Sequence, residues 1–420
     1  MSASIGYRRD DEGELWIESV PLRDIAQRFG TPCYVYSRHA IEVRWDAYRE
    51  ALRGRGSLCY AVKANGTLAI LSLLAQRGAG FDIVSGGELA RVLRAGGDPA
   101  RIVFSGVGKT VKEIRRALLA GIRCFNVESA AELERIEGIA AESANPAPIA
   151  LRINPDIDPQ THPYIATGLA QSKFGIALDE AEALYQHAAA SPHLTVEGVA
   201  FHIGSQLLSV APLREAAERT AALVRTLHER GITMGHVDVG GGLGVRYVDE
   251  EPPDPQNHIA AVAAPLSDLG VELLVEPGRA IVAEAGALLT RVEYLKQSAG
   301  RDLVIVDAGM NDYLRPALYD AAHRIEPLIT RDDEPIRDRE VVGPICESSD
   351  LFARHCPLAV APGDVLAIRC TGAYGAAMAS QYNGRPRAPE VLVDGAQAHL
   401  IRRRETIDDL MRGESVLVGG

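Results

Sequence analysis

The sequence predicts an α/β fold. A (β/α)8 barrel of the TIM type, residues 37–280, is joined to a mostly antiparallel β domain of barrel or sandwich form, residues 1–36 with 281–420. Three observations predict it. First, short apolar runs at 58–63, 81–85, 101–106, 123–128, 149–154, 196–202, 236–240 and 272–276 alternate with helical patterns. Such alternation means βαβ units on a parallel sheet, and eight of them within about 220 residues fit a closed barrel; a doubly wound open sheet is the alternative. Second, every run ends in a polar, charged or glycine residue. Third, from about residue 286 the runs follow one another with little helix between them.

At the amino end, residues 14–17 alternate weakly. A helix opens over 20–26 and is stopped by Gly30-Thr31-Pro32, and 33–36 reads as a second strand. Both short strands precede the barrel and are expected to join the β domain. Barrel helices are expected at 87–95, 111–120, 129–140, 178–190, 212–230 and 257–269. The β domain is expected to use 288–295, 302–307, 339–342, 365–370, 390–393 and 398–402, with a helical interlude at 313–324.

Bulk properties exclude several function classes. The formal net charge is −12 and no basic cluster stands out, which argues against nucleic acid; Arg402, Arg403 and Arg404 read as a solvated face. No uninterrupted apolar stretch reaches membrane-spanning length, and the first residues lack the apolar core of a signal peptide. The six cysteines are scattered without a CxxC pair, so neither a disulfide framework nor a metal site is expected, and a cytoplasmic location fits.

A barrel places its active residues where strands end. The first run ends in Lys63, then Asn65-Gly66. Burial lowers a lysine's pKa and makes it an amine nucleophile able to form a Schiff base with a carbonyl; the other reading is a surface lysine where the strand leaves the core. The other ends carry Ser85, Ser105, Glu128, Arg152 with Asn154, His202, Gly240-Gly241-Gly242, and Glu276 with Arg279. On a barrel, all eight ends meet at one mouth. The connection over 154–169 is long and proline-rich, as lids are, or it is a tolerated insertion.

Gly240-Gly241-Gly242-Leu243-Gly244 lets backbone N–H groups approach a phosphate, and the loops after strands 7 and 8 are the usual phosphate site of this barrel. Glu276 can pair with a protonated ring nitrogen, and Arg279 with a carboxylate; alternatively the two form an internal salt bridge. His202 can stack on a flat cofactor or be a satisfied core residue, and Ser205 can bond a phosphate oxygen. In the β domain, Cys346-Glu347-Ser348-Ser349-Asp350 follows Gly343-Pro344. Cys346 is a candidate proton donor and Glu347 a candidate ammonium partner, against an inert buried cysteine. Tyr374, within Thr371-Gly372-Ala373-Tyr374-Gly375, is open to the same two interpretations.

These motifs resemble the fold-type III pyridoxal phosphate (PLP) decarboxylases, which have an alanine-racemase-like barrel and a β domain. The likeness rests on Tyr60-Ala61-Val62-Lys63-Ala64-Asn65, His202-Ile203-Gly204-Ser205-Gln206, the triple glycine, Glu276-Pro277-Gly278-Arg279 and Cys346-Glu347-Ser348. Three further stretches point to the diaminopimelate decarboxylase branch. They are Thr161-His162-Pro163-Tyr164 through Lys173-Phe174-Gly175, Val84-Ser85-Gly86-Gly87-Glu88-Leu89, and Arg315-Pro316-Ala317-Leu318-Tyr319. The motifs run in order from about residue 14 to 410. Ser349 departs from the family pattern, where glycine is common.

The resemblance implies pyridoxal 5'-phosphate held by Lys63, stacked on by His202 and paired at its ring nitrogen by Glu276. Gly240, Gly241, Gly242, Ser205, Gly278 and Tyr374 are implied at the phosphate, with Arg279 beside them. Arg279, Arg315 and Tyr319 would bind the distal carboxylate of meso-2,6-diaminopimelate, with Tyr374 nearby. Glu347 would take the distal ammonium, and residues 207–216 would select the substrate. Lys63, Cys346 and His202 are the implied catalytic residues. Cys346 and Glu347 would come from the partner in a homodimer with shared active sites. The implied reaction releases CO2 and L-lysine, the last step of lysine biosynthesis. A racemase would need two bases on opposite ring faces. An ornithine or arginine decarboxylase leaves Arg315 and Tyr319 unexplained. A decarboxylase of a carrier-bound or secondary-metabolite amino acid remains an alternative, and retention of Lys63, Glu276 and Cys346 argues against an inactive binding homologue.

Overall fold

The computed structural model describes residues 5–143, 145–158, 167–168, 171–331 and 333–417. The chain divides into two compact units. One comprises Val43–Val245 and Glu250–Ile281, the other Met1–Glu42, Arg246–Asp249 and Val282–Gly420.

The first unit is the expected barrel. Its strands are β1 (Gly56–Ala61), β2 (Gly80–Ile83), β3 (Ile102–Phe104), β4 (Cys124–Val127), β5 (Ala147–Asn154), β6 (Leu194–Phe201), β7 (His236–Asp238) and β8 (Glu272–Val275). They pair in parallel in the order β5-β6-β7-β8-β1-β2-β3-β4, and β4 pairs with β5 to close the ring. Most strand residues are buried, because helices cover the outside and side chains fill the inside; this is why the runs read as continuously apolar. Several helices start on polar caps: Ser85 and Ser129 accept from the N–H three residues on, and Thr110 forms a full capping box with Glu113.

Strand residues alternate between inside and outside, and this stacks the lumen in layers. Cys59, Val103, Cys124, Ala150 and Leu274, from five different strands, form one apolar cluster. Two residues further along are Ser105, Asn126, Arg152 and Glu276, all buried. Here the two cysteines act as small hydrophobes filling a narrow lumen, and all six cysteines are free. Lys63 differs from expectation in one detail. β1 stops at Ala61, and Lys63 sits in a single 3-10 turn, Val62–Ala64, rather than ending the strand. Asn65 shapes the exit: its Oδ1 accepts from Thr67 N at 3.1 Å, and its carbonyl accepts from the Tyr60 hydroxyl at 3.0 Å.

Beside the lumen, Lys109 is fully buried, its side chain 1% exposed. Its Nζ donates to Gly106 O (2.8 Å), Asn126 O (2.7 Å) and Glu132 Oε1 (2.7 Å), while Glu132 Oε2 accepts from Glu128 N. This cation ties down the ends of β3 and β4. Lys109→Met strands a buried carboxylate, and such losses cost about 3–5 kcal/mol. The expected result is a thermal unfolding midpoint lower by about 10 °C, largely restored in Lys109→Met/Glu132→Leu; an unchanged midpoint in the single variant would contradict this role.

In the second unit, the long strand Gly286–Ser298 pairs antiparallel with Cys33–Ser37, Arg301–Val306 and Val365–Arg369. The sheet is mostly antiparallel, with parallel contacts between Leu303 and Glu340 and between Tyr34 and Glu390. Leu15–Ile17 belongs instead to a small three-stranded sheet with Tyr7–Arg9 and Val20–Pro21. Two expectations are corrected. The helix expected over 313–324 is only Arg315–Tyr319, because Asp320 turns left-handed (φ 50°). An edge strand, Leu351–Leu358, was not expected, since Arg354, His355 and Pro357 interrupt its apolar pattern. Among the described residues no helix is long and apolar enough to cross a membrane.

Candidate active site

The barrel's polar layer is dominated by acids. Lys63 Nζ lies 2.5 Å from Asp82 Oδ2; the lysine side chain is 35% exposed and the aspartate wholly buried. Asn126 Nδ2 donates to Ser105 Oγ (3.1 Å) and to Asp238 Oδ2 (3.0 Å). β4 and β7 are not neighbours in the sheet, so the second bond crosses the lumen. Asp238 Oδ1 also accepts from Gly240 N at 2.9 Å. Glu276 follows β8 in the same layer, and its Oε1 is buried with no hydrogen-bond partner among the described residues. Burial, then the negative charges of Asp238 and Asp82, push the Glu276 carboxyl well above its ordinary pKa, and burial raises Asp238 too. Its two N–H donors favour the ionised form of Asp238, so the proton shared by this acid pair resides on Glu276. Burial also pushes Glu88 up to about 7.

His202 follows β6. Its Nδ1 accepts from Gly241 N at 3.3 Å, which leaves Nε2 to carry the ring proton. Burial and the charges of Arg152 and Lys63 hold the imidazole pKa well below 6.5, so the ring is neutral. The glycine run is required by close approach. A Cβ at Gly241 would lie 2.2 Å from Glu276 O, and one at Gly242 (φ 101°) 2.4 Å from Gly204 O. The loops after β6, β7 and β8 therefore pack backbone against backbone. Gly278 packs on Ala61 and Ala64 of the lysine turn. Arg279 donates to Ser205 Oγ (2.8 and 3.3 Å), leaving that hydroxyl's proton for another acceptor. Lys63, His202, Ser205, Gly240, Gly241, Gly242, Glu276, Gly278 and Arg279 are thus gathered on one unit.

Glu128 and Arg152 complete this rim. Arg152 donates to Glu128 Oε1 at 2.7 Å, and Glu128 Oε2 accepts from Gly175 N at 2.9 Å. In the expected lid, residues 159–166, including Thr161, His162, Pro163 and Tyr164, lie outside the described residues. Its Thr167 donates to His202 O at 2.9 Å.

On the second unit, Arg315 is buried, with its guanidinium over the rings of Tyr247 (5.0 Å) and Tyr319 (5.5 Å). Its Nε has no hydrogen-bond partner among the described residues. Tyr247 was not singled out in the sequence. Cys346 and Glu347 are exposed, on a turn wound around the buried Asp350 carboxylate, which accepts from Met310 N (2.6 Å) and Ile345 N (2.7 Å). Tyr374 adopts a left-handed conformation (φ 55°). Asp82, Asn126 and Asp238 are likewise not among the residues expected from the sequence. Their signal is a single polar residue inside an apolar run, as in Phe81-Asp82-Ile83 and Val237-Asp238-Val239.

Comparison with known proteins places these residues in context. The family described as pyridoxal-dependent decarboxylase, pyridoxal binding domain, matches residues 38–283. A curated diaminopimelate decarboxylase from Pseudomonas aeruginosa is 56% identical over 407 residues, 97% of this chain and 98% of that protein. The crystal structure of diaminopimelate decarboxylase from Helicobacter pylori, complexed with L-lysine, superposes with a TM-score of 0.90 at 46% identity, covering 93% of this chain and 98% of that one. The M. jannaschii diaminopimelate decarboxylase, in co-complex with L-lysine, superposes with a TM-score of 0.94 at 38% identity, covering 99% of each chain.

Proposed function

The chain belongs to the pyridoxal-dependent decarboxylases, in their diaminopimelate decarboxylase branch, and from that premise we propose how its own residues divide the work. The enzyme decarboxylates meso-2,6-diaminopimelate to L-lysine and CO2 with pyridoxal 5'-phosphate, the last step of lysine biosynthesis. The residues present fit that cofactor. A lysine amine stands beside a buried carboxylate, Glu276 offers a buried Oε1 with no hydrogen-bond partner among the described residues, and the glycine loop leaves no room for side chains. The observation that carries the proposed roles is the Lys63–Asp82 contact within one lumen with the Asp238–Glu276 acid pair.

When bound, pyridoxal phosphate supplies an electron sink for the pair left on the α-carbon as CO2 departs. Lys63 would hold the cofactor through its amine, and Asp82 would steady that amine's charge. Glu276 keeps a proton at the cofactor's ring nitrogen, with Asp238 behind it. His202, neutral and fixed by Gly241, offers a flat face to stack on. The backbone of Gly240, Gly241, Gly242 and Gly278, the Ser205 hydroxyl, and Tyr374 hold the phosphate. Arg279, Arg315, Tyr319 and Tyr374 bind the distal carboxylate, and Glu347 the distal ammonium. Tyr247 holds the Arg315 guanidinium flat. After CO2 leaves, Cys346 Sγ or Lys63 Nζ returns a proton to the α-carbon. Two chains work as a homodimer in the cytoplasm, each supplying Cys346 and Glu347 to its partner's site.

The deciding experiment measures CO2 release from meso-diaminopimelate, ornithine, arginine and lysine side by side. Turnover of diaminopimelate alone is expected, since only it offers Arg315 a distal carboxylate; turnover of ornithine but not diaminopimelate would refute the substrate assignment. Cys346→Ala is expected to lower kcat by about 10²-fold, as loss of a proton donor does, with the cofactor still bound by its visible absorbance. Loss of the cofactor in that variant would mean that Cys346 has another role.

A further inference from the structure

The turn that carries Cys346 and Glu347 is held on its inner side by Asp350 and on its outer side by two adjacent residues, Tyr382 and Asn383. The Tyr382 hydroxyl donates to Glu347 Oε1. Asn383 Oδ1 accepts from Cys346 N at 3.0 Å. Consecutive residues of one turn thus grip consecutive residues of another, one through a carboxylate and one through the backbone. Asn383 manages this by taking a left-handed conformation (φ 57°, ψ 25°) in the middle of the 3-10 turn Tyr382–Gly384. Asparagine tolerates that region better than most residues, yet it still costs free energy, and the hydrogen bond accepted from Cys346 N offsets the cost. The turn is itself anchored: Ser380 N donates to Asn311 O at 2.8 Å, and Gln381 Nε2 to Glu405 Oε2 at 2.9 Å. Within the single chain the gripped residues are exposed, so its own packing does not immobilise them, and the two bonds set where the thiol and the carboxylate point.

We propose that Tyr382 and Asn383 are positioning residues for the decarboxylation, Tyr382 aiming the Glu347 carboxylate at the substrate's distal ammonium and Asn383 fixing the register of Cys346. The inference rests on the roles given above to Glu347 and Cys346. It makes the two bonds separable: one governs how tightly substrate is held, the other how fast the proton is delivered. A hydrogen bond to a carboxylate is stronger than one between neutral groups. Tyr382 keeps its proton because its hydroxyl donates to Glu347, and the carboxylate's charge further disfavours a second negative one.

The test uses steady-state kinetics of the holoenzyme on meso-diaminopimelate. Tyr382→Phe removes only the hydroxyl and is expected to raise KM about fivefold with kcat within twofold. Asn383→Gly keeps the left-handed turn without strain and loses only the amide. It is expected to lower kcat about tenfold with KM within twofold, and Asn383→Asp, which keeps the acceptor, is expected to restore kcat to within twofold of the parent. A general loosening of the turn would move kcat and KM together in every variant, and would end the proposal. So would an unchanged KM in Tyr382→Phe, or equal rates in Asn383→Gly and Asn383→Asp. Tyr382→Phe should add nothing in a Glu347→Ala background, because the acceptor it aims is already gone; additive effects overturn the grip. If Glu347→Gln alone leaves KM unchanged, the failure lies with the ammonium role of Glu347, and the proposal falls with it for that identifiable reason.

Discussion

Lys63→Ala is expected to abolish both the visible absorbance of bound cofactor and CO2 release, with residual turnover below about one part in 10³. The loss has two origins that can be separated. The amine that holds the cofactor is gone, and Asp82 is left as a buried carboxylate without its cation. The second effect concerns stability. Breaking a buried pair costs about 3–5 kcal/mol, and solvent at the lysine, 35% exposed, reduces this to about 2 kcal/mol. Lys63→Arg separates the two. It keeps the charge beside Asp82, but a guanidinium stays protonated and cannot act as the amine. Both variants are expected to be inactive and, with parent and variants all compared free of cofactor, only the alanine variant to unfold at a lower temperature. Full CO2 release from either would remove Lys63 from the mechanism and the proposed roles with it.

How much of this was legible in the sequence depends on which residues carried the information. The eight barrel strands were legible because each is covered on both faces, so burial writes a run of apolar residues. The mouth was legible because barrel strands end in polar groups, which is how Lys63, His202, the triple glycine and Glu276 stood out. The rest of that polar layer leaves a weaker signal. Asp82, Asn126 and Asp238 lie within the runs, where one polar residue looks like an interruption rather than a member of the ring, yet the period-two spacing of Cys124, Asn126 and Glu128 encodes it. Contacts between distant loops left no local pattern at all. Nothing near Arg315 announces Tyr247, and nothing near Cys346 announces Asn383. Opposite errors at 313–324 and 351–358 share a cause: local pattern overstated a helix that a left-handed Asp320 ends, and understated an edge strand carrying Pro357.

Glu276→Gln is expected to lower kcat by about 10²–10³-fold, the usual size of removing one preorganised electrostatic partner, and to make the cofactor-free protein more stable at neutral pH. The first effect follows because glutamine cannot hold a ring nitrogen in its protonated form. The second follows from the sign of the linkage. The unfolded chain releases the Glu276 proton near pH 4.5, whereas the folded protein retains it to higher pH, because burial and the charges of Asp238 and Asp82 oppose ionisation. Between those two values the folded state binds more protons than the unfolded, so stability falls as pH rises, and above the folded value the loss is complete. Glutamine has no proton to lose and removes that fall, while its amide can still donate to Asp238. The measurement is chemical denaturation of the cofactor-free protein and its Glu276→Gln variant from pH 5 to pH 9. The curves should separate with rising pH, the variant above. Parallel curves would mean that the acid pair carries no shared proton, and that Glu276 meets the ring nitrogen without a pre-set proton. A variant that is more stable yet nearly inactive would show that the barrel tolerates crowded carboxylates at a cost in stability because the chemistry at the ring nitrogen needs them.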